Sequence, residues 1–164
     1  MAELSTGPNP PEEVYVLVRV SSGSKYQYSM RKDPCSLMLD KVLPSPLPVA
    51  YGIIPATHHT DAETLDAFVL VSEPPMPGSI ISARPVGLMR IEGEGKIDDK
   101  IIAVCSIDRE FDDLRDVADV PKHTLAQLTS AIKEDWVSKI TWLDAEKAKK
   151  AVQKAIELYK RGYE

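Results

Sequence analysis

Proline and glycine recur so often between Val14 and Cys105 that only short segments fit between them, and those segments are apolar and rich in β-branched residues. VYVLVRV at 14–20 carries Arg19 as its only charge, SSGS supplies a turn, and KYQYSMR follows, a pattern that predicts a hairpin. LMLDKVL at 37–43 and FVLVS at 68–72 are the next apolar pieces. PSPLP lies between them, and its prolines remove donors that a ladder needs, so a loop is predicted there. PPMPG at 74–78 is a second proline-rich turn. SIISARPVGLMRI and, past the glycine-rich EGEGK, DDKIIAVCSI predict two more strands.

Beyond Cys105 the pattern changes. Pro121 suits the first turn of a helix whose apolar positions Leu125, Leu128 and Ile132 recur at helical spacing. WVSKITW reads as extended. Asp144 is a plausible N-cap for a terminal amphipathic helix with Ala148, Ala151, Val152, Ala155, Ile156 and Tyr159 as its apolar stripe. Five or six short strands, mostly ahead of the helices, predict an α+β fold, a compact closed barrel with helices packed against it.

The length of 164 residues fits one domain at 14–164, preceded by a flexible, proline-rich arm at 1–13. Charged residues at 27% and hydrophobic ones at 43% are globular composition, and no apolar stretch approaches the roughly 20 residues needed to span a bilayer. Membrane insertion is not expected. The N-terminus lacks the basic start and apolar middle of a secretory signal, so the cytoplasm is the expected location. Cys35 and Cys105 lie far apart in apolar surroundings and read as reduced, structural thiols. A net charge of −5 argues against a general nucleic-acid surface, which needs clustered Lys and Arg, and leaves room for metal ions.

YGIIPATHHTDAETLD, residues 51–66, places three carboxylates, Asp61, Glu63 and Asp66, within six residues. Side chains alternate along an extended stretch, so Asp61 and Glu63 can share a face, and a turn at the strand entrance can bring Asp66 round to them. Mg²⁺ takes oxygen ligands and a small number of carboxylates, keeping water or phosphate at its other positions. The cluster therefore points to phosphate chemistry, with a solvated acidic turn as the competing reading. His58 and His59, in the loop before Asp61, read as solvated side chains; as ligands they would let Mn²⁺ or Zn²⁺ compete with Mg²⁺.

The order of these segments resembles the soluble family I inorganic pyrophosphatases, from about Val14 to the C-terminal helix. SKYQYS is similar to the family's Lys-Tyr-Glu strand, AYGIIP to its Tyr-Gly-Tyr/Phe-Ile-Pro turn, and DAETLD stands in the place of its signature Asp-Gly-Asp-Pro-Leu/Val-Asp. PGSIISARPVGLM follows the family's strand pair, DDKIIAV its Asp-x-Lys strand, and FDDLRDVADVP its approach to the first helix. The resemblance implies an OB-like five-stranded closed β-barrel with flanking helices, Mg²⁺-dependent hydrolysis of pyrophosphate to two phosphates, and a homo-oligomer, commonly a hexamer. By position it implies Asp61, Glu63, Asp66 and Asp98 as metal ligands. Glu63 would also help activate the nucleophilic water, Asp66 and Tyr51 would act with it at the reacting centre, and Lys25, Lys41, Tyr51, Lys100 and Lys133 would contact phosphate.

The chain departs from the family pattern at Arg19 and Gln27, where glutamates stand, at Lys41 for an arginine, and at Ala62, Glu63 and Thr64 within the signature. Gly93 faces an aspartate, with Glu92 one residue away, and Ile132 a tyrosine. Glu63 carries its charge one methylene further out, Lys41 offers a point charge where arginine gives a two-pronged grip, and Arg19 is expected to make the site more positive. Arg84 is expected to bond within the barrel. Two other readings stand beside hydrolysis: a weakly active or inactive barrel that binds anions or assembles subunits, and an OB-type nucleic-acid module, against which stand 6% aromatic residues and the acidic charge.

Overall fold

A computed structural model of the chain describes residues 4–32, 35–59 and 63–162. It contains strands β1 (Val14–Val20), β2 (Tyr26–Lys32), β3 (Cys35–Val42), β4 (Ala50–Ile54), β5 (Leu65–Leu70), β6 (Ile80–Gly93), β7 (Lys96–Cys105) and β8 (Lys139–Leu143). Helix α1 (Lys122–Ile132) precedes β8 and helix α2 (Ala145–Arg161) follows it.

Five strands close a ring. β1 pairs antiparallel with β4 and with β6, β4 pairs with β5, β5 runs parallel to β7, and β7 pairs with β6. This is the expected OB-like barrel, with β8 added along β6. β6 can serve three partners because it bends: its register slips between Pro85 and Gly87, where proline has no N–H to give a ladder. Residues 80–83 pair with β1 before the slip, and residues 88–92 pair with β8 after it.

Two expectations change. β1 and β2 are not a paired hairpin, because β4 and β6 take the two edges of β1, and Val18 adds bonds to Gly78 and Ser79. β2 pairs with β3 instead, as a two-stranded sheet of its own, which raises the strand number above the five or six expected. Arg19 joins this hairpin to the barrel, its Nε donating to the Tyr28 carbonyl at 2.9 Å and its Nη2 to Asp40 at 3.2 Å. AYGIIP is strand β4 followed by a turn, and only residues 139–142 of WVSKITW lie in a strand.

Two hydrophobic clusters hold the fold. In β1, Val14, Val16, Val18 and Val20 are buried while the residues between are half-buried, the period of a strand with one face inward. β5 and β7 bury both faces, as adjacent parallel strands do. Ala67, Val69, Ile101 and Ala103 join the cluster beneath α2, with Ala148, Val152 and Ala155 from the helix stripe. Phe68, Leu70, Ile102 and Val104 join the cluster beneath α1, to which the helix gives Leu128. Asp144 caps α2 as expected, its carboxylate accepting from Lys147 N at 3.0 Å, and Pro121 stands just ahead of α1. No helix among the described residues is long and apolar enough to cross a membrane.

The described part of the N-terminal stretch makes contacts with the barrel and α2. Thr6 is buried; its carbonyl accepts from Tyr15 N at 2.7 Å, its hydroxyl donates to the Ala56 carbonyl, and Glu12 pairs with Lys149 at 3.0 Å. Arg84 makes internal bonds, but to the connection that follows β7 rather than within the barrel as expected: it donates to the carbonyls of Leu114 at 2.7 Å and Phe111 at 3.1 Å. Burial lowers its pKa from the ordinary arginine value, and the neighbouring Arg115 adds to the effect. Cys105 is a free, half-buried thiol.

Gly52 lies where β4 comes closest to β1, and a Cβ there would overlap the Leu17 carbonyl. Gly52→Ala is therefore expected to destabilise the fold by at least about 2 kcal/mol, seen as a lower urea midpoint at unchanged slope. An unchanged midpoint would mean that the two strands are not so tightly apposed.

Candidate active site

Three neighbouring strands of the ring bring the chemistry together. Tyr51 lies on β4, Asp66 on β5, and Asp98 and Lys100 on β7; the parallel register sets Asp66 directly beside Lys100. Asp66 shares a face of β5 with Phe68, and Asp98 and Lys100 share a face of β7 with Ile102, so all three acidic and basic groups project on the α1 side.

Lys100 is the centre of the network. Its Nζ donates to Asp66 Oδ2 at 3.1 Å and to the Tyr51 hydroxyl at 3.3 Å, and it forms an ion pair with Asp98 Oδ2 at 3.2 Å. Tyr51 in turn donates a short hydrogen bond to Asp66, whose other oxygen accepts from Thr64 Oγ1 at 3.0 Å. The Lys100 ammonium also stands 5.4 Å from the Tyr51 ring centre, and that ring packs on Phe68 at 5.1 Å.

These contacts fix protonation. Burial pushes the Tyr51 phenol well above its ordinary pKa and the Asp66 charge adds to this; Lys100 opposes them without prevailing, so the hydroxyl stays a donor at neutral pH. For Lys100, burial works against the charged form, but Tyr51, Asp66 and Asp98 together outweigh it and raise the pKa above the ordinary lysine value. The ammonium is permanently charged in the neutral range.

The network opens on a cavity of about 260 Å³. Gln27 and Lys41, facing each other across β2 and β3, form one wall; Lys133 and Glu134, just after α1, form another. Tyr51, Asp98 and Lys100 line it, together with an apolar surface from Leu43, Phe68, Ile91, Ile132 and Trp136. Thus Tyr51, Lys41, Asp98, Lys100 and Lys133 of the expected residues meet at one cavity, and Asp66 joins them through Tyr51 and Lys100. Lys25 is exposed in the β1–β2 connection and is not among the lining residues. Glu63 is exposed, with its carbonyl taken by His59 N. Asp61 lies outside the described residues.

Arg19 does not add charge to the cavity, because Asp40 pairs with it. His58 and His59 are half-buried rather than solvated: the His58 ring packs on Tyr159 at 5.0 Å, and His59 Nε2 accepts from Asp99 N at 3.1 Å. Trp136 escaped sequence reasoning, since WVSKITW read as a strand. Its Nε1 donates to Glu134 at 2.9 Å, and its carbonyl occupies the space that a side chain at Gly93 would need. An aspartate at 93 would collide with that turn, which accounts for the departure there.

Among the described residues no three His, Cys, Asp or Glu side chains cluster as a metal centre. The donor chemistry nevertheless fits Mg²⁺: Asp66 and Asp98 bring two carboxylates to the same cation, Lys100, beside an open cavity, and Mg²⁺ needs one or two carboxylates when phosphate and water complete its shell.

Comparison with known proteins identifies the family. A family model described as "Inorganic pyrophosphatase" matches residues 16–160. The inorganic pyrophosphatase of Haloferax volcanii is 37% identical, with 98% of this chain and 96% of that protein covered, and that of Picrophilus torridus is 35% identical, with 97% and 94% covered. The crystal structure of the inorganic pyrophosphatase from Thermus thermophilus superposes with a TM-score of 0.88 at 33% identity, over 96% of this chain and 97% of that one. On the family model and these full-length relatives together, the chain belongs to the inorganic pyrophosphatase family.

Proposed function

We propose that this protein hydrolyses inorganic pyrophosphate to two phosphates with the help of Mg²⁺. The observation that carries the reading is the Tyr51–Asp66–Lys100–Asp98 network, set on the wall of a cavity that Lys41 and Lys133 also line. Lysines on several walls suit a compact anion with charge on both ends. In the reaction the oxygen of water bonds to one phosphorus, the bridging P–O bond breaks, and its electron pair leaves with the second phosphate.

Lys41, Lys133 and Lys100 would hold phosphoryl oxygens and offset the charge that gathers on the leaving group, and Lys25, outside the cavity lining, would have to reach in to add a further contact. Tyr51 would orient Asp66 and give its own hydroxyl to phosphate when substrate enters. Glu63, two residues ahead of β5, would take the proton from the attacking water. Asp66 and Asp98, with Glu63 and Asp61, would hold Mg²⁺; Mn²⁺ or Zn²⁺ would compete for the same oxygens. When bound, the metal supplies charge neutralisation at phosphate and a more acidic water. The working form would be a cytoplasmic homo-oligomer, hexameric on the family pattern, and the exposed Met30, Leu37 and Leu39 of the β2–β3 hairpin support an association surface.

Phosphate release from pyrophosphate by the purified protein is expected to require a divalent metal, with Mg²⁺ the best of Mg²⁺, Mn²⁺ and Zn²⁺. Asp66→Asn should lower it at least about 100-fold, with the barrel still folded by circular dichroism. Equal release by the variant would remove Asp66 from the reaction, and none from either protein with any metal would refute hydrolysis.

Lys100→Met separates two roles. It should cost about 100-fold in turnover through loss of phosphate contact, yet tighten Mg²⁺ binding measured calorimetrically without pyrophosphate, because Asp66 and Asp98 lose the cation that now occupies them. Weaker Mg²⁺ binding in this variant would show that Lys100 organises those carboxylates for metal rather than competing with it.

A further inference from the structure

The opposite face of β7 borders a second cavity, of about 550 Å³, between the barrel and α2. Alternation along β7 sends Asp98 and Lys100 toward α1 and Asp99 toward α2. Asp99 is the one carboxylate among the described lining residues, and Arg90 meets it with two parallel bonds, Nε to Oδ1 at 2.9 Å and Nη2 to Oδ2 at 3.0 Å. The acidic charge of the groove is therefore already matched.

Facing that pair, α2 contributes Lys147, Lys150 and Lys154 to the lining. With 3.6 residues per turn these positions fall along one strip of the helix, and from the first to the last they cover about 10 Å. Among the described residues none of the three has a carboxylate within 4.0 Å, whereas Lys149, one strip away, pairs with Glu12 at 3.0 Å and Glu146 at 3.6 Å. Three ammoniums on one wall without a carboxylate partner among the described residues stand out in a chain of net charge −5. The floor between them and the barrel is apolar, formed by Leu88, Leu143 and Leu158.

We propose that this groove binds an oligophosphate anion, either inorganic triphosphate or the triphosphate of a nucleotide, at a site separate from the catalytic cavity. A row of lysines about 10 Å long suits several phosphates in line better than one, and ammonium groups are point-charge partners for phosphate oxygens. The volume lies within the roughly 300–1,000 Å³ of small-molecule pockets. For a nucleotide the leucine floor offers a place for the base; for inorganic triphosphate the lysines alone carry the recognition.

The test is calorimetric titration of the full chain, without metal, by inorganic triphosphate and by adenosine triphosphate. The parent is compared with Lys147→Ala/Lys154→Ala and with Lys41→Ala/Lys133→Ala in the catalytic cavity. Alanine keeps the α2 helix, which circular dichroism verifies. Binding should persist in the catalytic-cavity variant and weaken at least about tenfold in the α2 variant. Tighter binding of adenosine triphosphate than of inorganic triphosphate identifies the nucleotide as ligand, and equal or weaker binding identifies the inorganic anion. Undiminished affinity in the α2 variant, complete loss in the catalytic-cavity variant, or no binding of either anion to the parent would overturn the proposal.

Discussion

The parallel pairing of β5 with β7 is the constraint on which the rest of the molecule turns. It fixes Asp66 beside Lys100, and by alternation it fixes what each strand shows to the two helices. A slip of one residue would send Asp98 and Lys100 under α2 and bury Asp99 under α1, exchanging the faces of a strand whose apolar residues are committed on both sides. Parallel neighbours need a crossover, which β6 provides by bending at Pro85 and returning through β7. The bend, the ring closure onto β1 and the catalytic register are thus one arrangement.

Inside that arrangement polar groups are matched rather than merely clustered. Asp66 accepts from Tyr51, Lys100 and Thr64, and Lys100 donates to Asp66 and Tyr51 while pairing with Asp98. A partly buried ammonium left without these partners would carry a large desolvation cost, as would either aspartate alone. Because the pKa of Lys100 is raised on folding, its favourable contribution is complete below the ordinary lysine value and is lost as pH climbs through the raised one. The same matching gives a substrate a definite exchange to make: phosphate oxygens can replace carboxylate oxygens around Lys100.

Local signals in the sequence carried most of the elements. The β-branched run of β1, the stop at PSPLP, the cap at Asp144 and the stripe of α2 all follow from spacing and residue type, and each appears where those rules put it. Pairing partners were not legible in the same way. SSGS between two apolar runs is a sound hairpin signal, yet β1 closes the ring with strands some thirty and sixty residues away, and no local rule weighs that competitor. At the site, Asp66 was readable from the acidic cluster ahead of β5, whereas Tyr51, Asp98 and Lys100 were implied by the family resemblance of the segments that carry them. Trp136 was not, because its part depends on a turn folding back over Gly93. Arg19 was misjudged for a related reason: its partner, Asp40, sits on a hairpin whose docking only the tertiary fold determines.

That hairpin stands apart from the ring and is joined to it through Arg19 and the bonds at its base. It nonetheless supplies Gln27 and Lys41 to the catalytic cavity. Labour is therefore divided between a closed barrel that fixes the reacting groups and an appendage that meets the incoming anion. The two can diverge independently: exchanges on the appendage alter which anions are admitted without loosening the barrel, so substrate preference is open to evolutionary drift at small cost to folding.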